Sequence, residues 1–223
     1  MLGMAADLSG STETRSERKE RTRRAILDAA LDLLQDTSMV ALSLRQVAKE
    51  VGIVPTAFYR HFDSIDDLGL ALVDESLASL RALLREARNI TTPVSSDREL
   101  FLAIVDTSVR ALVTHVPSND RHFRFIAREA VAGPPSVRDA VRHQLELIEH
   151  ELATDIARIP GSERWSGDDL RILANLLVTA MVQHAESLAQ AAGRPEGEAR
   201  IAETARRQLH MVLVGALNWD SSK

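Results

Sequence analysis

The fold is decided by one stretch of the sequence, Ser43-Leu44-Arg45-Gln46-Val47-Ala48-Lys49-Glu50-Val51-Gly52-Ile53-Val54-Pro55-Thr56-Ala57-Phe58-Tyr59-Arg60-His61-Phe62. Ser43 is a typical helix N-cap, and Gln46 three residues later completes a capping-box pattern. Gly52 suits the positive φ that often ends a helix, and Pro55 suits the first turn of the next one, which we expect to end near Phe62. The stretch therefore predicts two short helices joined by a tight turn, with a small core formed by Leu44, Val47, Ala48, Ile53, Phe58 and Phe62.

A helix-turn-helix of this kind lays its second helix in the major groove of DNA. Thr56 is suited to a base edge or a phosphate, and Arg60 to a phosphate or a guanine. Tyr59 and His61 are suited to phosphate oxygens, and the start of the preceding helix also favours a phosphate. The expected DNA contacts are Arg24, Ser43, Arg45, Pro55, Thr56, Ala57, Tyr59, Arg60 and His61.

The net charge of the chain argues against a nucleic-acid partner, but the distribution of the charges along the sequence favours one. The whole chain has a formal net charge of −5, yet nine basic residues stand against six acidic ones between Arg15 and Phe62. A positive segment on an acidic body suits a protein that presents one face to phosphate. A basic helix is also common as a solvated surface, so the charge alone leaves both interpretations open.

Helical periodicity continues through the rest of the chain. Apolar residues at helical spacing, separated by breaks rich in Pro, Gly, Ser and Thr, predict helices at about 16–35, 64–89, 97–116, 119–132, 136–159, 168–192 and 196–219. No segment alternates with a period of two, so we expect an all-α protein without a sheet. The expected parts are a disordered tail at 1–14, a three-helix DNA-binding domain at 15–63 and a helical ligand-binding and dimerisation domain at 64–223.

Composition and apolar patterning give expectations about the cellular compartment and the oligomeric state. The chain has no cysteine, which excludes disulfides and thiolate metal sites. No signal peptide is recognisable, and the apolar run Leu173–Val182 is too short for a membrane span, so we expect a soluble, cytoplasmic protein. The last two helices are apolar on more than one face, which predicts a homodimer through this helix pair or, alternatively, a central helix of a monomer.

The quoted stretch closely resembles the TetR family of bacterial regulators, together with Arg23-Arg24-x-Ile26-Leu27-x-Ala29-Ala30 before it and Asp67-Leu68 after it. The run from Val54 to Phe62 looks like the branch of the fatty-acid regulators FabR and DesT. Phe123-x-Phe125-x-Ala127-Arg128-Glu129 is similar to that branch too. In one departure, Ile65 stands where many family members have Lys, and Asp63 and Asp66 flank it.

The resemblance implies an all-α homodimer with DNA-binding heads, a ligand-binding body and an interface formed by the last two helices. In this branch it implies a repressor of fatty-acid genes that binds a palindromic operator and responds to a long-chain acyl-CoA or related acyl thioester. Two alternatives stay open. One is a TetR-like repressor that senses an unrelated apolar molecule in efflux or catabolic control, and the other is a DNA-binding protein whose body only dimerises.

A thioester ligand needs an apolar tunnel for its chain and cations for its phosphates. The candidates are Phe101, Val105, Arg121, Arg124, Phe125, Arg128 and Met181. The arginines could equally form a solvated helix face, and the apolar residues a plain core.

Neither a catalytic nor a metal site is expected. His143, Glu146 and His150 share one helical face, which is more typical of a solvated surface than of a metal site. The sequence offers no nucleophile with a base, so we expect neither an enzyme nor a resident cofactor.

Overall fold

The computed structural model describes residues 14–88, 96–159 and 161–221. Over these ranges the chain forms nine α-helices and no strand, which confirms the all-α prediction. The helices are α1 (Arg15–Leu33), α2 (Leu44–Val51), α3 (Pro55–Phe58), α4 (Ile65–Arg88), α5 (Asp97–His115), α6 (Asp120–Ala132), α7 (Pro135–Ile156), α8 (Gly167–Ala191) and α9 (Pro195–Leu217). Apart from Thr14, the tail predicted at 1–14 lies outside the described residues.

Helices α1 to α3 form the head, and local signals set their bounds. The side chain of Ser43 accepts the Gln46 N–H while the Gln46 side chain accepts the Ser43 N–H, so the predicted capping box begins α2. Gly52 ends α2 at a φ of +73°, where a side chain would be strained. Pro55 occupies the first turn of α3 as expected.

The prediction that the second helix of the motif reaches Phe62 was wrong. Regular helix ends at Phe58, and the following residues form turns. The backbone amides of His61 and Phe62 both donate to the Phe58 carbonyl. The buried rings of Phe58 and Phe62 fix these turns against the head.

Helices α4 to α9 form the body, in which α8 packs against α6, α7 and α9. This contact explains why α8 is apolar around much of its circumference. By length and composition, α8 is the one helix in the described ranges that would suit a membrane span, although the fully apolar run within it is short. Half of that window is buried inside the body, as in the core helix of a bundle.

One core runs from the head into the body. Met39, in the connection between α1 and α2, is buried against the body. A Cβ atom at Gly69 of α4 would lie 2.7 Å from the Met39 methyl and 2.9 Å from the Val137 side chain of α7. The connection is thus wedged between body helices, and Gly69 leaves the space for it.

Candidate nucleic-acid interface

The outer surface of the head carries the side chains predicted to meet DNA. Thr56, Tyr59 and Arg60 are exposed, and 58% of the Tyr59 surface is accessible. Beneath them, the Phe58 ring meets the Tyr59 ring edge-on at 6.0 Å between centroids and the Phe62 ring at 5.7 Å. Packing of this kind fixes the backbone that presents the exposed side chains.

Of the DNA contacts predicted at the start of α2 and α3, some side chains are free of the helix cap, and one is part of it. Pro55 and Arg45 are exposed. The Ser43 hydroxyl donates to the side-chain Oε1 of Gln46 at 2.7 Å and accepts the backbone N–H of Gln46 at 3.3 Å. Ser43 therefore starts the helix, and contact with DNA would have to share that hydroxyl with the cap.

A basic groove separates the start of α1 from the end of the motif. It is open to solvent and is lined by Arg15, Arg18, Lys19, Thr22, Ile53, Ala57, Arg60 and His61. Four of these side chains are cationic at neutral pH, and none is acidic. The groove thus brings Ala57, Arg60 and His61 together with cations of α1 in an arrangement that suits a phosphate backbone.

His61 occupies a special position in the basic groove. Its ring nitrogen Nδ1 is buried and has no hydrogen-bond partner among the described residues. Burial lowers the pKa of this imidazole, and the nearby cations Lys19, Arg23 and Arg60 lower it further, against a smaller opposing effect of Glu20. Burial and these cations both favour the neutral imidazole, and a phosphate in the groove would offset the effect of the cations.

Arg23 fastens α1 to the end of the motif. Its guanidinium lies 4.3 Å from the centre of the Phe62 ring, and one of its nitrogens donates to the His61 carbonyl at 3.2 Å. Sequence reasoning missed this role, because His61 lies 38 residues further along the chain and Phe62 follows it.

Arg24 does not join the basic groove. Its guanidinium pairs with Glu75 of α4 at 2.9 Å and with Asp28 at 3.5 Å. The structure therefore turns this predicted DNA contact toward the body. Arg15 and Lys19 line the groove instead, and their four-residue spacing on one helix was the signal that could have identified them.

Three arginines predicted to hold a ligand phosphate contact other segments of the chain. Arg128 donates to the Thr37 and Gln35 carbonyls at 2.6 and 3.2 Å, and also to Leu34. Arg121 pairs with Asp32 at 2.6 Å, and Arg124 donates to the Ala189 carbonyl at 2.6 Å. The reason is that α6 lies between α1 and α8, so its cations meet those two helices. Phe125 is buried in the core.

Together with its neighbours, α6 forms a polar junction between head and body. Glu129 is fully buried, and one carboxylate oxygen accepts the Met39 N–H at 3.3 Å. Burial raises the pKa of this carboxyl group. On the α4 side, the Ser76 hydroxyl and His122 Nδ1 lie 3.0 Å apart. We call this set of contacts from Arg121, His122, Arg128 and Glu129 the α6 junction.

A small, partly open cavity of about 80 Å³ lies between the helices of the body. Val105 and Met181, both predicted, line it, while the Phe101 side chain lies outside the described part of the structure. The complete lining is Arg81, Leu84, Ile104, Val105, Ser108, Ile148, Glu151, Leu152, Leu177, Met181, Leu209 and Leu213. The cavity is therefore mostly apolar and carries a single cation, whose guanidinium contacts the Gln144 side chain.

The outer face of α8 and α9 exposes a groove of large apolar side chains. Met211 is 76% exposed, and Ile172, Leu176 and Trp219 are each at least half exposed. The same groove is floored by Leu173, Val212 and Ala216. Apolar patches of this kind mark association surfaces. Within the described ranges, no group of three or more side chains is arranged to hold a metal ion.

Residues 26–72 match the family model described as bacterial regulatory proteins, tetR family. Solved structures with a similar fold include a TetR-family regulator from Streptomyces coelicolor, at 20% identity over 88% of this chain and 96% of that one, with a TM-score of 0.62. A putative TetR-family regulator from Rhodococcus sp. aligns at 17% identity over 89% of this chain and 100% of that one, also with a TM-score of 0.62.

A third similar structure is the fatty acid degradation regulator FadR from Bacillus halodurans, at 11% identity over 85% of this chain and 94% of that one, with a TM-score of 0.61. Identities this low show the shared fold alone. The match over residues 26–72 adds that most of the head, together with the start of α4, is similar to the N-terminal region of the bacterial regulatory proteins of the tetR family.

Proposed function

We propose that this TetR-type regulator is a homodimeric repressor of fatty-acid genes, whose hold on a palindromic operator is controlled by a long-chain acyl-CoA or related acyl thioester. The observation that carries the DNA-binding part is the exposed set Thr56, Tyr59 and Arg60 beside the basic groove. The packed rings of Phe58 and Phe62 hold the backbone of these residues in place, so little conformational entropy is lost when they bind DNA.

The α8–α9 groove supports the dimer. Regulators of this family bind operator DNA and typically dimerise, and a second copy would cover the exposed Ile172, Leu176 and Met211. A two-fold dimer places two recognition helices on one face of the duplex, about one helical turn apart. A palindromic operator follows from that symmetry.

The apolar cavity supports an acyl ligand, as do two sequence similarities to fatty-acid regulators, at residues 54–62 and 123–129. Binding sites for small molecules measure about 300–1,000 Å³. The cavity of about 80 Å³ would therefore have to widen around a long chain. In this proposal the ligand binds a conformation of the body with a wider cavity. Such a change in the body is needed if the ligand is to alter the spacing of the DNA-binding heads.

The second candidate function is control by an apolar molecule unrelated to acyl thioesters. The observation that favours it is that Arg121, Arg124 and Arg128 form hydrogen bonds with neighbouring segments and do not line the cavity. A nucleotide-bearing thioester would then find only Arg81 among the lining cations.

Mapping of genomic binding sites followed by operator titration tests both candidates. We expect sites beside fatty-acid synthesis or desaturation genes, and an operator affinity that changes with saturated and unsaturated long-chain acyl-CoA but not with CoA alone. No response to any acyl-CoA, together with a response to another apolar compound, would favour the second candidate. Arg60→Ala serves as the control that loses operator binding without ligand.

A further inference from the structure

The end of the described chain folds back onto the start of α8. The indole Nε1 of Trp219 donates to the Asp169 carboxylate at 3.0 Å, and the Ser221 hydroxyl donates to the same oxygen. That hydroxyl also accepts the Ser166 N–H at 2.7 Å. We call residues 164–169, together with residues 217–221, the C-terminal clasp.

Backbone groups tighten the clasp. The Ser221 N–H donates to the Arg164 carbonyl at 3.2 Å, and the Arg164 guanidinium donates to the Leu217 carbonyl at 3.0 Å. The Trp165 indole donates to the Trp219 carbonyl at 3.3 Å. Residues 217–221 are therefore fixed to the start of α8 by both side-chain and backbone contacts.

The carboxyl group of Asp169 joins the two halves of the clasp. Hydrogen bonds, first from Ser221 and then from Trp219, hold the pKa of this carboxyl below its usual range. Asp169 therefore remains ionised at neutral pH and accepts from both partners at once.

The clasp orders an indole that remains exposed. Trp219 is 56% exposed although its nitrogen is bonded, and it borders the same groove as Ile172, Leu176 and Met211. Ordered, exposed tryptophans are enriched at the energetic centres of protein interfaces, because a large rigid ring is buried with little loss of entropy.

We propose that the C-terminal clasp is part of the homodimer interface, where it holds Trp219 in position as a contact for a second copy of this chain. The inference rests on the proposed homodimer and adds residues beyond its two helices. The groove bordered by Trp219 is continuous with the α8–α9 face. The same two helices carry exposed charges of both signs, such as Asp168, Arg171 and Arg207, so the surface can meet itself about a two-fold axis.

Paired substitutions in the first turn of α8 test the clasp in the full chain. Asp169→Ala removes the acceptor of both clasp bonds, whereas Asp168→Ala removes only a surface pair with Arg171. Both carboxylates lie in the same turn and affect the helix dipole alike. By sedimentation, we expect Asp169→Ala to raise the dimer dissociation constant by about tenfold or more and Asp168→Ala to leave it nearly unchanged.

Intrinsic fluorescence gives a second readout, because the chain has only two tryptophans and both line this groove. Dilution of the wild type should shift the emission to longer wavelength as Trp219 becomes hydrated, and Trp219→Phe should reduce that shift. Trp219→Ala should weaken the dimer with its circular dichroism unchanged. If that variant does not fold, the comparison of Asp169→Ala with Asp168→Ala decides.

Each outcome separates the two proposals. If Asp169→Ala and Trp219→Ala both dimerise with the wild-type dissociation constant, the clasp proposal is overturned, and the homodimer proposal still stands. Equal weakening by Asp169→Ala and Asp168→Ala would also overturn it, since the effect would then come from the helix terminus. A wild-type chain that stays monomeric at all concentrations, with or without operator DNA, would overturn the homodimer itself.

Discussion

Lys19 and Arg60 stand on opposite walls of the basic groove, and each should neutralise a phosphate. We expect Lys19→Ala to weaken binding to operator and random DNA alike, and to reduce the salt dependence of log K by about 0.9 per head. Anisotropy titrations at several salt concentrations measure this slope. Arg142→Ala, on the exposed face of α7, is the matched control. An unchanged slope for Lys19→Ala would exclude a phosphate contact by this side chain.

His61 should link DNA binding to proton uptake. In the free protein, burial and neighbouring cations lower its pKa below the ordinary value of about 6.5. Phosphates in the basic groove would offset those cations and raise the pKa in the complex. The protonated form is then favoured in the complex, so affinity should increase as the pH falls through the window between the two pKa values and be lost as the pH rises.

Anisotropy titrations across that pH window test this linkage. His61→Gln should flatten the pH dependence, and His143→Gln, on the exposed face of α7, should leave it as in the wild type. Identical profiles for wild type and His61→Gln would show that another group carries the proton.

Single residues show what the sequence could and could not predict. Ser43, Gly52 and Pro55 act on their own backbone, so local patterns predicted them correctly. Arg24 and Arg121 are predicted to contact DNA and ligand, yet each forms its shortest ion pair with a carboxylate on another helix. Asp32 is 89 residues away from Arg121, and no periodicity indicates which distant carboxylate an arginine will meet.

At the scale of elements, α6 fixes the end of α1 to the body. Arg128 holds three carbonyls at the carboxyl end of α1 and in the turn after it, where a cation also meets the favourable end of the helix dipole. We expect Arg128→Ala to lower the free energy of unfolding by about 2–3 kcal/mol, because these carbonyls would lose partly buried charge-assisted bonds. Thermal or urea unfolding measures the change.

Arg142→Ala again provides the control, since it breaks only an exposed i,i+3 pair and should cost about 0.5 kcal/mol or less. Equal effects of the two substitutions would mean that the α6 junction contributes no more than a surface contact.

Most helices could be placed from the sequence, since caps and apolar spacing are local. The bounds agree to within a few residues from α4 to α9, because Pro and Gly mark the breaks. The exception is α3, where packing of Phe58 and Phe62 against the head replaces regular helix by turns. That packing depends on residues of α1, which the local pattern does not contain.

At the scale of the whole molecule, the body cavity should be separable from DNA binding. Val105→Phe would fill much of the cavity of about 80 Å³. We expect this variant to keep operator affinity and to lose its response to acyl-CoA, with overpacking costing about 1–3 kcal/mol of stability. Operator titration with and without ligand measures both properties.

Met181→Phe fills the same cavity from α8 and should behave alike. Val109→Phe is the contrasting case, because Val109 is buried on α5 without lining the cavity. It should lose stability without a selective loss of response. A full ligand response in both cavity variants would place the effector elsewhere.

The position of Met39 between α4 and α7 limits how the head of this protein could be exchanged for the head of another. In a head grafted from another protein, a smaller residue at the position of Met39 would leave a hole beside Gly69, and a larger one would collide there. Operator specificity should therefore be transplanted by exchanging surface residues of α3, with the connection from α1 to α2 left native. For the same reason, an isolated head should fold poorly, and the chain should melt in a single transition.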